Sequence, residues 1–287
     1  MIYVSSACIK ERSIAEVIKR FAQCGIKNIE LSGGTDYYKS IEHDLVELAD
    51  LYGLTYACHA YFPPPKVPFV VNLASCNDEI YQQSIAHYVQ CIEMLKRIGC
   101  HVLSVHAGFL VEVRADEIGK VLSSKTIYDE GKAYDRFCSA YQQIERQCAL
   151  CDIELYLENN VLSMKNYISF GNQNYMMMTD YMSIMKMKKQ MDFKLLLDLG
   201  HLHVSSHTLG LDYAKECALL RDHSHWFHLS ENDGSSDEHS PLREGSRIME
   251  EFCKINDQCN NITLETIGNM REILTSINLL KSLQGSI

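Results

Sequence analysis

Short apolar runs alternate with longer amphipathic stretches along nearly the whole chain. The runs lie near residues 2–6, 28–32, 54–59, 102–106, 153–158, 194–198, 226–229 and 261–265. Runs of four to six mostly apolar residues fit strands buried on both faces. Between them, apolar residues recur at helical spacing near 10–24, 40–52, 78–99, 132–151, 176–190, 211–222, 245–258 and 269–283. In the third of these, Ile80, Ile85, Val89, Ile92 and Leu95 share one face, and Gly99 stops the run. Eight strand–helix repeats predict parallel strands with crossover helices, hence an α/β fold, a single (β/α)8 barrel. No Pro-, Gly- or Ser-rich linker divides the chain, so residues 1–287 are expected to form one domain. Two strand-to-helix connections are long, Ala60–Asn77 with four prolines and Gly108–Gly131, and such loops are expected to shape a substrate pocket.

Six of the runs end in a residue that can bind a metal: His59, His106, Glu158, Asp198, His228 and Glu265. One polar group at a strand end is ordinary. Six in register must converge if the sheet closes, at the C-terminal rim where barrel enzymes collect catalytic groups. Three more follow just past strand ends, His201, Asp237 and His239. Catalytic zinc takes three protein ligands and structural zinc four, so nine ligands exceed the need of one ion and fit two or three. The mixture of imidazole and carboxylate leaves zinc and manganese both open, at one to three divalent ions per chain. Three divalent ions against Glu158, Asp198, Asp237 and Glu265 leave two positive charges for an anionic substrate or hydroxide. With a single ion, the carboxylates over-neutralise it and one glutamate tends to hold a proton, which suits acid–base work. The remaining histidines, His43, His87, His101, His207, His223 and His225, fall outside this pattern and read as structural or solvated, with His203 at most lining the mouth. The cluster around Met176, Met177 and Met178 reads as helix packing.

Composition narrows the class. Apolar residues make up 46%, enough for a large core, and the net charge of −10 argues against a nucleic-acid footprint, though a local basic patch can sit on an acidic protein. The twelve cysteines include no CxxC pair and mostly occupy apolar or helical runs, which predicts buried thiols in a reducing compartment. There is no signal-peptide pattern and no window of membrane-span length, so the expected location is the cytoplasm.

These residues resemble the xylose-isomerase-like barrels, which include sugar isomerases, sugar epimerases and the endonuclease IV repair enzymes, over about residues 1–283. Glu158, Asp198, His228 and Glu265 are similar to the epimerase set. That resemblance implies one divalent ion, commonly manganese, with the two glutamates moving protons at a sugar carbon. The other five resemble the endonuclease IV branch. His59 stands in Cys58-His59-Ala60-Tyr61-Phe62, followed by Val71-Asn72-Leu73-Ala74-Ser75, and His106 in Val105-His106-Ala107-Gly108, where the endonuclease usually has proline after the histidine. His201 stands in Asp198-Leu199-Gly200-His201, and Asp237 and His239 precede Glu244-Gly245. The resemblance implies one zinc on His59, His106 and Glu158, a second on Glu158, Asp198, His228 and Glu265, and a third on His201, Asp237 and His239. The chain departs from the repair enzymes in its Pro63–Pro68 insertion, in the segment Thr35-Asp36-Tyr37-Tyr38 without the expected arginine, and in Arg243, which replaces a small residue. Its Phe62-Pro63-Pro64-Pro65 loop and His106-Ala107-Gly108-Phe109 strand look like the sugar phosphate isomerase/epimerase group.

The expected function is therefore a metal-dependent isomerase or epimerase of a sugar or sugar phosphate, with Glu158 and Glu265 as catalytic base and acid and Arg243 as a contact for an anionic substrate group. The rival is an endonuclease IV-like zinc phosphodiesterase, acting on abasic DNA or a small phosphodiester. A small-molecule partner is expected and a membrane partner is not; self-association is left open.

Overall fold

The computed structural model describes residues 1–117, 120–123, 126–255 and 261–284. Eight parallel strands close on themselves in sequence order. They are β1 (Ile2–Ser5), β2 (Asn28–Leu31), β3 (Thr55–Cys58), β4 (Val102–His106), β5 (Glu154–Glu158), β6 (Lys194–Asp198), β7 (Ser224–Leu229) and β8 (Ile262–Leu264). β1 pairs with β8 to complete the ring, Val4 opposite Leu264.

The period of two along each strand decides what faces the barrel axis. Residues of one parity, such as Ile29, Leu31, Leu103, Leu157, Leu197 and Phe227, point outward into the main core beneath the helices. Residues of the other parity fill the barrel. A separate buried cluster of Tyr3, Ala57, Tyr156, Leu196 and Trp226 plugs its lower half. Two residues further along four of those strands stand His59, Glu158, Asp198 and His228. The plug therefore serves as the floor of the polar layer above it. Trp226 fixes that floor, packing at a tilt against Tyr3 with ring centroids 5.0 Å apart and donating its indole N–H to Thr263 Oγ1 at 2.9 Å.

The helices are α1 (Ile14–Gln23), α2 (Ile41–Tyr52), α3 (Asp78–Arg97), α4 (Glu130–Leu150), α5 (Met164–Ser169), α6 (Tyr181–Lys188), α7 (Leu199–Leu209), α8 (Tyr213–Leu220), α9 (Arg247–Ile255) and α10 (Met270–Gln284). Their starts follow local chemistry. Ser13 and Glu16 form a capping box on α1, and Asn77 and Asp129 cap α3 and α4 with side-chain oxygens.

Two readings of the helices need correction. Helix α7 follows β6 without a loop and does not appear in the periodicity, because residues all round it, Leu199 to Leu202 and Val204 to Ser206 among them, are buried and no polar stripe marks it. The stretch expected as helix 176–190 is helical only from Tyr181, since Met176 pairs with Phe109 in an isolated bridge and Met178 has a positive φ. Residues 256–258 of the expected helix 245–258 lie outside the described residues. Among the described residues, no helix is long and apolar enough to cross a membrane, and the cysteines are free thiols, six of them buried.

Candidate metal centre

Strand register sets the ligands side by side. His106 is the direct neighbour of Glu158 across β4–β5, and Asp198 of His228 across β6–β7. His59 and Glu265 each stand one residue past β3 and β8, held by backbone bonds His59 N–H to Leu31 O and Glu265 N–H to Leu229 O. Asp198 then caps α7, its Oδ1 accepting the His201 N–H at 2.6 Å, and this turns the His201 ring over the mouth. The loop after β7 folds back through a two-way bridge between Glu231 and Ser240, and Ile267 N–H bonds His239 O at 2.7 Å. His239 adopts φ +49 there, a left-handed conformation uncommon outside glycine.

All nine predicted ligands meet in three adjoining groups: His59/His106/Glu158, Glu158/Asp198/His228/Glu265 and His201/Asp237/His239. Glu158, wholly buried, is the hinge between the first two. Its Oε2 lies 3.3 Å from His59 Nε2 and 3.1 Å from His106 Nδ1, and its Oε1 3.4 Å from His228 Nδ1 and 3.6 Å from His201 Nδ1. Glu265 Oε2 is 3.5 Å from His228 Nδ1. In the third group Asp237 Oδ2 is 3.2 Å from His201 Nε2 and 3.0 Å from His239 Nε2.

These spacings test whether the groups suit a cation. Two ligands about 2.1 Å from one ion at a tetrahedral angle stand roughly 3.4 Å apart, and most separations here fall near that value. The unsatisfied atoms agree. Both Glu158 oxygens, Asp198 Oδ2, His228 Nδ1, Asp237 Oδ1 and His239 Nδ1 are buried without a hydrogen bond. Buried polar atoms are rarely left unpaired, and six sit together on five of the nine predicted ligands. The residues fit a set of divalent ions.

Outer partners fix which histidine atom faces inward. Ser104 Oγ holds His59 Nδ1 at 2.7 Å, leaving Nε2 for the site. The Asn159 carbonyl accepts from His201 Nδ1 at 2.9 Å, which turns Nε2 to Asp237. Asn159 also braces Asp198, with its Oδ1 accepting the Asp198 N–H at 2.7 Å. The charges are mutually tuned. Burial alone would raise Glu158, but His106, His59 and His228 outweigh it and hold the carboxyl well below its usual range. His228, His59 and His239 do the same for Glu265 against its burial. Asp198 moves the other way, pushed up to about 6 by burial with Glu158 and Asp237 nearby. Burial pushes His106 down to about 4, while Asp237 outweighs burial to lift His239 to about 9.

Glu30 is a member of this constellation that the sequence pattern did not single out. It lies inside β2, is almost fully buried, and its Oε2 is 3.1 Å from His228 Nε2 and accepts from Thr263 Oγ1 at 2.9 Å. Its inward parity was the available signal. Asn159 and Asn160, directly after Glu158, were also missed; Asn160 Nδ2 donates to the carbonyls of Ala107, Gly108 and Met177. His203 bonds Asn232 Oδ1 at 2.7 Å and packs on Tyr213, and it does not line the cavity among the described residues.

A cavity of about 880 Å³ opens above the ligands. His59, His106, His201, Asp237, His239 and Glu265 form its base. The long loop after β3 builds one wall with Tyr61, Pro64, Pro65, Pro68 and Phe69, and Gly33 to Tyr37 build another. The second long loop contributes Phe109 among the described residues. Lys66 is the one lysine or arginine in the described lining, with its Nζ 5.1 Å from the Tyr37 ring centroid. Arg243 is exposed, does not line the cavity, and lies against Glu231.

A family model described as xylose isomerase-like TIM barrel matches residues 18–283. No curated protein matches the sequence. Among solved structures, a D-tagatose 3-epimerase-like protein is 20% identical, with 99% of this chain and 97% of that one covered and a TM-score of 0.71. D-psicose 3-epimerase from Clostridium cellulolyticum, in a structure with D-tagatose, is 14% identical, with 98% of both chains covered and a TM-score of 0.68. Endonuclease IV from Thermus thermophilus is 14% identical, with 100% of this chain and 99% of that one covered and a TM-score of 0.61.

Proposed function

Since the chain belongs to the xylose isomerase-like TIM barrel family, we propose that it is a divalent-metal-dependent isomerase or epimerase of a sugar or sugar phosphate. The observation that carries this reading is the pair Glu158 and Glu265. The two carboxylates approach the same His228 nitrogen, at 3.4 and 3.5 Å, and both are held ionised by the histidines around them. Glu265 lines the cavity, so an ionised base faces the substrate space. Bound divalent ions, zinc or manganese, would be held by the nine ligands and would polarise a carbonyl and stabilise its developing negative charge. Glu265 would then take the proton from the carbon beside that carbonyl and, in an isomerisation, return the same proton to the neighbouring carbon; in an epimerisation Glu158, after taking a proton from solvent, would supply one from the opposite face while the proton on Glu265 is released. Lys66 is the cation best placed for a phosphate on the substrate, and the exposed Arg243 could contribute only from outside the described lining.

A second reading has its own observation. His201, Asp237 and His239 form a third ligand group beyond what proton transfer at a sugar needs. Such a cluster suits hydrolysis of a phosphodiester, in which hydroxide attacks phosphorus in line with the leaving oxygen. The single lysine or arginine in the described lining and the net charge of −10 favour a small phosphodiester over DNA. The experiment pairs a metal count on protein purified without added metal with assays on free and phosphorylated ketoses, a small phosphodiester and abasic duplex DNA. Exchange of a sugar's carbon-bound proton with solvent is the result expected. Phosphodiester cleavage without any such exchange would replace the first reading with the second.

A further inference from the structure

We infer that Glu30 is a positioning residue that selects the nitrogen through which His228 holds an ion and supplies that ligand with a buried negative charge. The inference rests on the metal reading of the site. His228 is fully buried, and its two ring nitrogens face different groups. Nε2 meets Glu30 Oε2 at 3.1 Å, while Nδ1 stands between Glu158 Oε1 and Glu265 Oε2 without a hydrogen bond. A carboxylate only accepts, so Nε2 carries the proton and donates it to Glu30. The Nδ1 lone pair is then directed to the space shared by Glu158, Asp198 and Glu265. A carboxylate behind a ligating histidine fixes the ring and raises the basicity of the ligating nitrogen.

The three histidines braced from behind are not braced alike. Ser104 and the Asn159 carbonyl are neutral partners for His59 and His201. Glu30 alone among these three partners is a carboxylate. It is held there by Thr263 Oγ1, which in turn accepts the Trp226 indole N–H, so the barrel floor is tied to the metal layer by one chain of bonds. The other Glu30 oxygen, Oε1, is buried and unpaired. Burying a carboxylate beneath the site is costly unless positive charge stands close. Divalent ions on the far side of His228 supply it. Glu30 thus favours ions of higher charge at this position over an empty or monovalent state.

Zinc titration against a competing chelator tests this, with Glu30→Gln and Glu30→Ala compared with wild type and with His228→Ala. The His228→Ala protein identifies which binding step belongs to that ligand. The expected result is a tenfold to hundredfold weaker affinity at that step in Glu30→Ala. Glu30→Gln retains an oxygen for the Nε2 proton and should lose less, a partial rescue that separates hydrogen bonding from charge. The step belonging to His201, Asp237 and His239 should be unchanged in both. Unchanged affinity at the His228 step overturns the inference, as does equal weakening of every step, which would mark Glu30 as a part of the fold only. If Glu30→Ala does not fold, Glu30→Gln decides by the same criteria. Wild-type protein that takes up no zinc would sink the metal reading itself, an outcome distinct from uptake that the Glu30 changes leave untouched.

Discussion

Glu158→Gln is the sharpest perturbation of the site, because it keeps the shape and removes the charge that two ligand groups share. Both carboxylate oxygens are engaged, Oε2 toward His59 and His106 and Oε1 toward His228. Loss of even an outer partner of a ligand weakens an ion by about tenfold to hundredfold, or about 1.4–2.7 kcal/mol. A direct ligand shared by two ions should therefore cost at least roughly 3–5 kcal/mol over both. While free metal exceeds the dissociation constant, stabilisation by the ion follows the logarithm of affinity, so this loss passes directly into folding stability. At roughly 2–4 °C per kcal/mol for a protein of this size, the metal-induced rise in Tm should shrink by roughly 6–20 °C. The assay is thermal unfolding of the same preparation with and without zinc or manganese, together with elemental analysis of bound ions. Taking the difference between loaded and metal-free protein removes whatever the substitution does to the bare fold. A Glu158→Gln protein with wild-type ion content and a wild-type rise in Tm would refute the shared-ligand geometry.

His59→Ala and His239→Ala should each remove one ion and leave the others, since they belong to separate groups joined only through their neighbours; elemental counts that stay at the wild-type value in both would confine the site to Glu158, Asp198, His228 and Glu265. Asp237 holds a proton on His239 up to about pH 9 in the metal-free protein, and an ion must displace it. Metal affinity should therefore climb from pH 6.5 toward 9, with protons released on binding, measurable by calorimetry in buffers of different ionisation enthalpy. The same raised pKa gives the metal-free fold a stability present below pH 6.5 that is lost as pH rises through about 9, so its Tm should fall over that window. Lys66→Ala should raise KM for a phosphorylated substrate by about tenfold or more, the worth of one charge-assisted hydrogen bond, whereas Arg243→Ala should not; the reverse order in steady-state kinetics would return the anion contact to Arg243.

The candidate ligands were legible in the sequence because two simple rules coincide at them. Buried parallel strands appear as apolar runs, and the last inward position of each run lies at the rim, so His106, Glu158 and Asp198 announce themselves by where the apolar character stops. Glu30 did not, because it stands within a run at Asn28-Ile29-Glu30-Leu31 and a lone charge there resembles a solvent-facing residue. Only the closed barrel shows that its parity matches that of the ligands and that Thr263 and His228 wait for it on the far side. Helix α7 was hidden for a related reason. Periodicity reveals a helix by contrast between its faces, and in Leu199-Gly200-His201-Leu202-His203-Val204 every residue but the half-buried His203 is buried, so contrast is small. The cavity walls lay beyond sequence reasoning in another way. The Pro63–Pro68 segment was visible as a long loop, but that Tyr61 and Phe69 would line one cavity with Tyr37 of a different loop depends on how the rim folds.

The shared position of Glu158 in the barrel also bears on how long the protein survives. His59, Glu158 and Glu265 follow one another at intervals of about a hundred residues along the chain, whereas Asp237 and His239 are nearly adjacent. Ions joined through the first three close loops of at least that length, which an open chain resists through loss of conformational entropy. Such ions would find their ligands only after β3 to β8 have come together, and so would act as reversible cross-links on the finished barrel. Interactions made after the folding barrier slow unfolding without hastening folding. With ions held as proposed, metal content would set a clock, in which the empty barrel opens at its own rate and a loaded one would first have to surrender its ions.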